Sequence, residues 1–309
     1  MDILAFRSDL VKSIRQYFES EKVEEVTTPL LRETGAVETH LDSVTTQGLP
    51  RYFLQTSPEY AMKVIVAKYG RSVYQICPAI RAGENSQRHG VEFQLLEWYR
   101  YKYDLAEIAD DLQKLLLHIM EFLGDKFALK ADFRKIYKVS YKQLFVERYG
   151  TNPLVASSRE LRRLAAQSGL THIAGDSTES ECLEALFAAG IEPSLQAPVI
   201  VTDFPSCQAA LAEIRTNQVG DKISSRFELF ASGLEIANAY QELDDSVELE
   251  QRFFEYNHQR RILGKAEMRL DRALLDSMGS IGTYSGIALG IDRLAMSLLG
   301  MDSLSKISL

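Results

Sequence analysis

Two alternating segments joined by a polar loop constrain the fold of this chain more than any other feature. The first segment covers residues 73 to 81 and the second covers residues 92 to 99, with Gly83 and Gly90 in the loop between them. Period-two alternation on both sides of a glycine-containing loop predicts a β-hairpin with a long connection. Because side chains alternate between the faces of a strand, one face of the second segment should carry Phe93, Leu95, Glu97 and Tyr99.

The loop of this hairpin concentrates charged side chains. They are Arg81, Glu84, Arg88 and His89. Binding residues are commonly found in loops that a rigid scaffold holds in place, and a glutamate beside a tyrosine on the adjoining strand suits a cation. A solvated loop with ordinary surface charge is the alternative interpretation of the same residues.

A second predicted hairpin carries the densest group of acids. Its strands cover residues 226 to 230 and 234 to 243, and its polar residues include Glu228, Glu235, Asn238 and Glu242. Carboxylates on buried strands are costly unless a metal or a cationic ligand compensates them. Strict alternation places Asn238 and Glu242 on one face but Glu235 on the other, so convergence requires a bulge near Ala237. A hairpin with one solvated face is the alternative.

Residues 285 to 290 form a small-residue strand that runs into a helix over residues 291 to 299. Gly290, Asp292 and Arg293 stand at this junction, where backbone N–H groups and a guanidinium can meet an anion. An arginine near a helix N-terminus is slightly unfavourable for the helix dipole, which favours a ligand-binding role for Arg293. Neither a P-loop motif nor a GxGxxG motif occurs in the chain.

The remaining pattern predicts one α+β domain over residues 1 to 309. Ser57, Pro58 and Glu59 follow the order expected at a helix start, which predicts a helix from 58 to 69. The pattern of the block from about 127 to 198 predicts short helices, which we interpret as a helical insertion. Further segments are predicted helices at 6–22, 105–123, 141–149, 158–167, 179–189 and 248–263, and extended runs at 23–29, 52–56 and 199–203.

Composition excludes several classes of function. A formal charge of −8 and a pI near 5.3 argue against broad phosphate neutralisation on a nucleic acid. Cys77, Cys182 and Cys207 are too widely spaced for a disulfide framework or a zinc site. This cysteine pattern leads us to expect a protein of the reducing cytoplasm. No segment resembles a signal peptide or a membrane span.

Three ordered segments, VEEVTTP, IRAGENSQRHGVEF and GIALGIDRL, resemble the signatures of class II aminoacyl-tRNA synthetases of the lysyl subgroup, as does GLEIANAYQEL. The resemblance covers about residues 5 to 300. It implies a catalytic domain with a mainly antiparallel sheet flanked by helices, and a homodimer. We expect the anticodon-binding domain of lysyl-tRNA synthetases to be absent, because the resemblance to the catalytic domain begins at the first predicted helix. TSPEYAMK, LLEWYR, FPSCQAAL and Ala288 resemble instead the elongation factor P–(R)-β-lysine ligases, a truncated group within this family.

The resemblance implies a role for individual residues. Arg81 and Arg293 would be catalytic. ATP would be bound by Arg81, Ala82, Gly83, Glu84, His89, Gly90, Phe93, Glu235, Ile236, Gly290 and Arg293. The amino acid would be bound by Ser57, Pro58, Glu59, Glu97, Tyr99, Asn238, Glu242 and Ala288, and Mg²⁺ by Glu228 and Glu235. The family usually has Asn-Pro where this chain has Gly90-Val91, so one expected contact with ATP is absent.

The resemblance also implies a reaction. We expect ATP-dependent activation of (R)-β-lysine as an adenylate, followed by transfer to a lysine ε-amine of elongation factor P, without stable tRNA or membrane binding. The preference between lysine and (R)-β-lysine stays open. Two alternatives are a stand-alone lysyl-type synthetase that charges tRNA and a non-catalytic paralogue that acts as a regulatory binding subunit.

Overall fold

The computed structural model describes residues 2–48, 51–173 and 175–308. The strands within these ranges are β1 (Glu24–Glu25), β2 (Leu31–Arg32), β3 (Phe53–Leu54), β4 (Val73–Ile80), β5 (Glu92–Tyr101), β6 (Tyr137–Ser140), β7 (Val199–Pro205), β8 (Ile214–Thr216), β9 (Lys222–Ala231), β10 (Leu234–Gln241) and β11 (Tyr284–Gly290). The helices are α1 (Ile3–Ser20), α2 (Glu59–Tyr69), α3 (Leu105–Gly124), α4 (Tyr141–Tyr149), α5 (Ser158–Gln167), α6 (Glu179–Gly190), α7 (Ser246–Ile262), α8 (Arg272–Ser277) and α9 (Ile291–Leu299).

A nine-stranded sheet forms the centre of the described structure. Its strands follow the order β1-β4-β5-β11-β10-β9-β7-β6, and β8 pairs with β9. Neighbouring strands are antiparallel except at the two edges, where β1 lies parallel to β4 and β6 lies parallel to β7. This architecture confirms the predicted α+β class with a mainly antiparallel sheet flanked by helices.

The first hairpin forms as its alternation predicted. Strands β4 and β5 pair from Val73 opposite Tyr99 to Ile80 opposite Glu92. Leu96 and Trp98 are buried in the main core, where the apolar faces of α1 and α3 cover the sheet. The opposite face of β5 is therefore left free to line a cleft.

Local capping explains where the two covering helices begin. Asp2 accepts the backbone N–H of Ala5 at the start of α1. At the start of α3, Asp104 and Glu107 form a reciprocal capping box. Both predicted helices are confirmed, with bounds that differ by a few residues.

Two predicted segments differ from the structure. The run 23–29 forms a strand only at Glu24–Glu25, because the N–H of Thr28 turns to the side chain of Gln75. The block 127–198 contains the three predicted helices but also β6, which the sequence interpretation lacked. A four-residue edge strand is too short to show a clear alternation. The apolar cluster of the insertion includes Val201 and Phe230, so it packs directly on the main sheet.

Candidate active site

One cleft on the free face of the sheet gathers most of the residues that the sequence singled out. Its cavity volume is about 220 Å³. The predicted residues that line it are Ser57, Glu59, Arg81, Glu84, His89, Gly90, Phe93, Glu97, Tyr99, Glu235, Ile236, Asn238, Glu242, Ala288, Gly290 and Arg293. Four predicted residues do not line it, namely Pro58, Ala82, Gly83 and Glu228.

A β-bulge in β10 brings the acids of the second hairpin to this cleft. Glu235 pairs with Phe230 while Ala237 pairs with Leu229, so Ile236 is an extra residue on this strand. The bulge reverses the alternation after Glu235. Glu235, Asn238 and Glu242 consequently line the same cavity, as the sequence required if these acids were to converge.

The central part of the cleft depends on close packing between β5, β11 and β10. Ala288 lies opposite Glu97 on β5 and opposite Asn238 on β10. At Gly286 a Cβ would approach Glu242 Oε1 and Tyr99 Cε1 to 2.4 Å. A side chain at this position would displace Tyr99 or Glu242, so glycine is required for both to reach the cleft.

Arginine side chains dominate one end of the cleft. The Arg81 guanidinium carbon lies 5.0 Å from the centre of the Phe93 ring, and its Nε donates to the carbonyl of Thr56 at 3.3 Å. Arg293 Nη1 donates to the backbone carbonyl of Glu235 at 2.9 Å and to its carboxylate at 3.2 Å. Guanidinium groups beside a half-buried aromatic ring suit a polyanion that carries a planar ring.

These arginines also determine the charge state of their neighbours. Burial by itself would raise the pKa of Glu235, but the guanidinium groups of Arg293, Arg226 and Arg81 lower it below its ordinary value. Burial lowers the pKa of His89, and the positive charge of Arg293 lowers it further. At neutral pH this end of the cleft therefore holds an ionised Glu235 and a neutral His89.

Carboxylates surround the other end of the cleft. The ammonium of Lys63 lies 2.7 Å from Glu59 Oε1 and 2.6 Å from Glu242 Oε2. Burial by itself would lower the pKa of Lys63, but the charges of Glu242 and Glu59 raise it well above its ordinary value. Burial raises the pKa of Glu242 above its ordinary value, and the charge of Lys63 opposes this rise and favours the ionised carboxylate. Lys63 was missed by the sequence interpretation, although its position four residues after Glu59 on α2 is the spacing of a helical ion pair.

Glu97 occupies the centre of this acidic end. It accepts hydrogen bonds from the hydroxyl of Ser57 and from the hydroxyl of Tyr99, each at 2.7 Å. Burial raises the pKa of Glu97 to about 7, and the charge of Glu59 contributes to the rise. The Ser57 hydroxyl also accepts the N–H of Glu59 at 3.0 Å, although the structure begins α2 after Pro58 rather than after Ser57.

Glu228 lies on β9 directly opposite Asn238, but its carboxylate pairs with the guanidinium of Arg226 instead of facing the cavity. Burial raises its pKa to about 8, against the opposing charge of Arg226. Within the described residues, no group of three or more His, Cys, Asp or Glu side chains could hold a metal by itself. Mg²⁺ usually takes only one or two carboxylates together with substrate phosphates. Glu235 lines the cavity where such an ion could bind, whereas Glu228 would first have to release Arg226.

Comparison with known proteins agrees with this geometry. The family model for class II tRNA synthetases (D, K and N) matches residues 1–309. The chain belongs to this family. Similar curated proteins include those of Vibrio atlanticus, Edwardsiella ictaluri and Salmonella typhi, each named elongation factor P–(R)-β-lysine ligase and each 34% identical to this chain. The alignments cover 97 to 98% of this chain and 92 to 93% of the relatives.

Class II synthetase-like ligases use ATP, which is a polyanion with a planar base. The arginine end of the cleft contains Arg81, Arg293 and the ring of Phe93. Among the helices that the structure describes, none is long and apolar enough to cross a membrane.

Proposed function

We propose that this chain activates (R)-β-lysine with ATP and transfers it to a lysine ε-amine of elongation factor P. The observation that carries the proposal is a single cleft in which an arginine-lined end meets a carboxylate-lined end. An amino acid with two ammonium groups and a nucleoside triphosphate are the pair of ligands that match these opposite charges. The names of the similar proteins support the same reaction.

In the first step, a carboxylate oxygen of the amino acid attacks the α-phosphorus of ATP. The bond between this phosphorus and the bridging oxygen to the β-phosphate breaks, which releases pyrophosphate and leaves an aminoacyl-adenylate. Arg81 and Arg293 would stabilise the charge on the phosphate oxygens, while Phe93 would stack on the adenine. The enzyme supplies no nucleophile, so the rate depends on position and electrostatic stabilisation.

Glu235 and Glu228 would hold Mg²⁺ at the arginine end. Bound there with the phosphate oxygens, the ion would offset the negative charge of the triphosphate. Arg226 pairs with the carboxylate of Glu228 and also donates from Nε to Asn238 Oδ1 at 3.1 Å. Arg226 thereby links the proposed metal site to a residue of the amino-acid end.

In the second step, the neutral ε-amine of the acceptor lysine attacks the carbonyl carbon of the adenylate. An amide bond forms, the bond from this carbon to the phosphate oxygen breaks, and AMP leaves. The amine nitrogen gives up one proton to solvent. Because the attacking group comes from another protein, the cleft must stay open to the surface at the mixed-anhydride carbon.

We further propose that the protein forms a homodimer and acts in the cytoplasm. Leu30 and Leu31, which follow the first signature segment, are 38% and 49% exposed and offer apolar surface for a second copy. Sedimentation of the purified protein would test the dimer, because a monomer at micromolar concentration would contradict it.

The reaction is tested in two stages. ATP–pyrophosphate exchange would be measured with lysine and with (R)-β-lysine. The enzyme-bound aminoacyl-adenylate would then be offered to elongation factor P and to tRNA. We expect faster exchange with (R)-β-lysine and transfer to the protein alone. Transfer to tRNA would favour a lysyl-type synthetase, and the absence of exchange with either amino acid would favour a non-catalytic protein.

Replacing Arg81 tests the role of the arginine end. The change Arg81→Ala should lower the rate of exchange by about a hundredfold or more, since one donor to a developing oxyanion has this effect in other enzymes. Arg134→Ala is the matched control, because Arg134 is 69% exposed and pairs with Asp132 away from the cleft. Exchange near the wild-type rate in Arg81→Ala would refute the assignment.

A further inference from the structure

Glu38 is a carboxylate of the cleft that neither the signature segments nor the sequence interpretation singled out. It lies in the irregular segment between β2 and β3 and lines the main cleft together with Ser57 and Glu59. The same three residues border a smaller cavity that continues beside α2. Glu38 therefore stands at the edge of the carboxylate-lined end.

Charged residues near the end of α7 hold the backbone of this segment in place. Arg260, which is buried, donates to the carbonyl of Glu38 at 3.0 Å and to the carboxylate of Asp42 at 3.1 Å. Lys265 donates to the carbonyl of Thr39 at 3.0 Å and to Asp42 at 2.8 Å. Although Glu38 lies outside the helices and strands, its position is thus determined by several charge-assisted hydrogen bonds.

Glu38 differs from most carboxylates of the cleft because it lacks a cationic partner. In the described ranges, no Lys, Arg or His nitrogen lies within 4.0 Å of its carboxylate, and its hydrogen-bonding side chain is Tyr60, whose hydroxyl donates at 3.2 and 3.3 Å. The carboxylates of the cleft that do have a cationic partner are Glu59, Glu84, Glu235, Glu242 and Asp292. Glu97 likewise has no cationic partner within the described ranges, and its carboxylate accepts hydrogen bonds from Ser57 and Tyr99.

This comparison identifies two carboxylates that a ligand could neutralise. Burial raises the pKa of Glu38 and the negative charge of Glu59 raises it further, while the hydrogen bond from Tyr60 and the charge of Lys63, which lies beyond ion-pair distance, lower it. A half-buried carboxylate without a counter-ion is costly, and an ammonium group of a ligand would relieve that cost. A diamino acid has two such groups, which matches the two unpaired carboxylates in number.

We propose that Glu38 binds one ammonium group of the amino acid substrate and, together with Glu97, makes the cleft specific for diamino acids. This inference rests on the proposed function and adds a specificity-determining residue to it. Tyr60 is the corresponding positioning residue, because its hydroxyl lies within hydrogen-bond distance of both carboxylate oxygens of Glu38.

The change Glu38→Gln tests the inference, because it removes the charge and keeps the shape. In the exchange assay the KM for the diamino acid should rise about tenfold or more, as expected for the loss of a hydrogen bond to a charged group. The kcat and the KM for ATP should change less than about twofold, because Glu38 does not contact the reacting atoms. Glu38→Asp should recover part of the lost affinity.

Glu33→Gln is the matched control. Glu33 belongs to the same stretch of chain, is 76% exposed and faces Arg269 at 3.6 Å. Its KM values should equal those of the wild type. Thermal unfolding of both variants would show whether Glu38→Gln retains the fold, and Glu38→Asp provides a second, less disruptive replacement.

Two analogues separate a binding role from a structural one. 3-Aminohexanoate lacks the terminal amine of (R)-β-lysine, and 6-aminohexanoate lacks its other amine. If Glu38 binds an ammonium group, Glu38→Gln should reduce the ratio of kcat/KM for the diamino acid to kcat/KM for one analogue. The same ratio for the other analogue should stay unchanged. An equal reduction of this ratio for both analogues would indicate a structural role and overturn the inference.

The remaining outcomes are also decisive. An unchanged KM for the diamino acid in Glu38→Gln, with active wild-type protein, would overturn the inference and leave the proposed function intact. Normal exchange combined with slower transfer from preformed adenylate would assign Glu38 to the acceptor lysine and overturn it as well. Wild-type protein that shows no exchange with any diamino acid would defeat the proposed function itself.

Discussion

Removing the buried cation between two carboxylates should destabilise the protein strongly. Lys63 is 2% exposed, and its ammonium contacts Glu59 and Glu242 at 2.7 and 2.6 Å. In the change Lys63→Met the hydrophobic stem is replaced by a chain of similar length, while both carboxylates lose their counter-ion. Breaking a buried ion pair from one side costs about 3 to 5 kcal/mol, since the remaining charge is left uncompensated.

Urea-induced unfolding at pH 7 would measure this cost. Lys306→Met is the matched control, because Lys306 forms a pair of the same spacing with Asp302 at 2.8 Å but is 56% exposed. An exposed pair contributes only about 0 to 1 kcal/mol. If Lys63→Met lowered the free energy of unfolding by less than about 1 kcal/mol, Lys63 would behave as an exposed ion pair does, and the buried pairing with Glu59 and Glu242 would be refuted.

A second replacement separates the loss of the pair from the loss of packing. In the double variant Lys63→Met with Glu242→Gln, one of the two uncompensated charges is removed, so part of the lost free energy of unfolding should return. The coupling energy between the two changes should exceed about 0.5 kcal/mol, which is the usual error of additivity for independent sites. Additive effects would contradict the proposed ion pair.

Two further predictions concern the same end of the cleft. The pKa of Glu97 is raised to about 7 by burial, so its stabilising contribution is present below the unfolded value of 4.5 and is lost as the pH rises through 7. Between pH 4.5 and 7 the free energy of unfolding should fall by about 3 kcal/mol less in Glu97→Gln than in the wild type. Urea titration at each pH would measure this, and an identical dependence of the unfolding free energy on pH in both proteins would contradict it. Gly286→Ala should abolish exchange because its Cβ would approach Glu242 and Tyr99 to 2.4 Å, whereas Gly124→Ala, which meets no atom within 4 Å, should leave exchange unchanged. Normal exchange in Gly286→Ala would show that the cleft can widen.

The local pattern of the chain was sufficient to predict the two hairpins and their faces. Period-two alternation placed Glu97 and Tyr99 on one side of β5, and the same rule required a bulge in β10 before Glu235 could join Asn238. These predictions succeeded because the direction of a side chain on a strand depends on its own backbone. The short strand β6 was missed, because four residues at a sheet edge leave little periodic signal.

The sequence by itself determined which residues share a face, through alternation along each strand and the spacing of apolar positions along each helix. Only the tertiary structure decided which faces meet. The strand order β5-β11-β10 brings Glu97 and Glu242 into one cleft, and α2 then inserts Lys63 between two carboxylates. Glu38 reaches the same cleft on an irregular segment held by Arg260, and such a segment has no periodicity to reveal its contacts. Pairings of this kind depend on how distant elements pack, which no local pattern encodes.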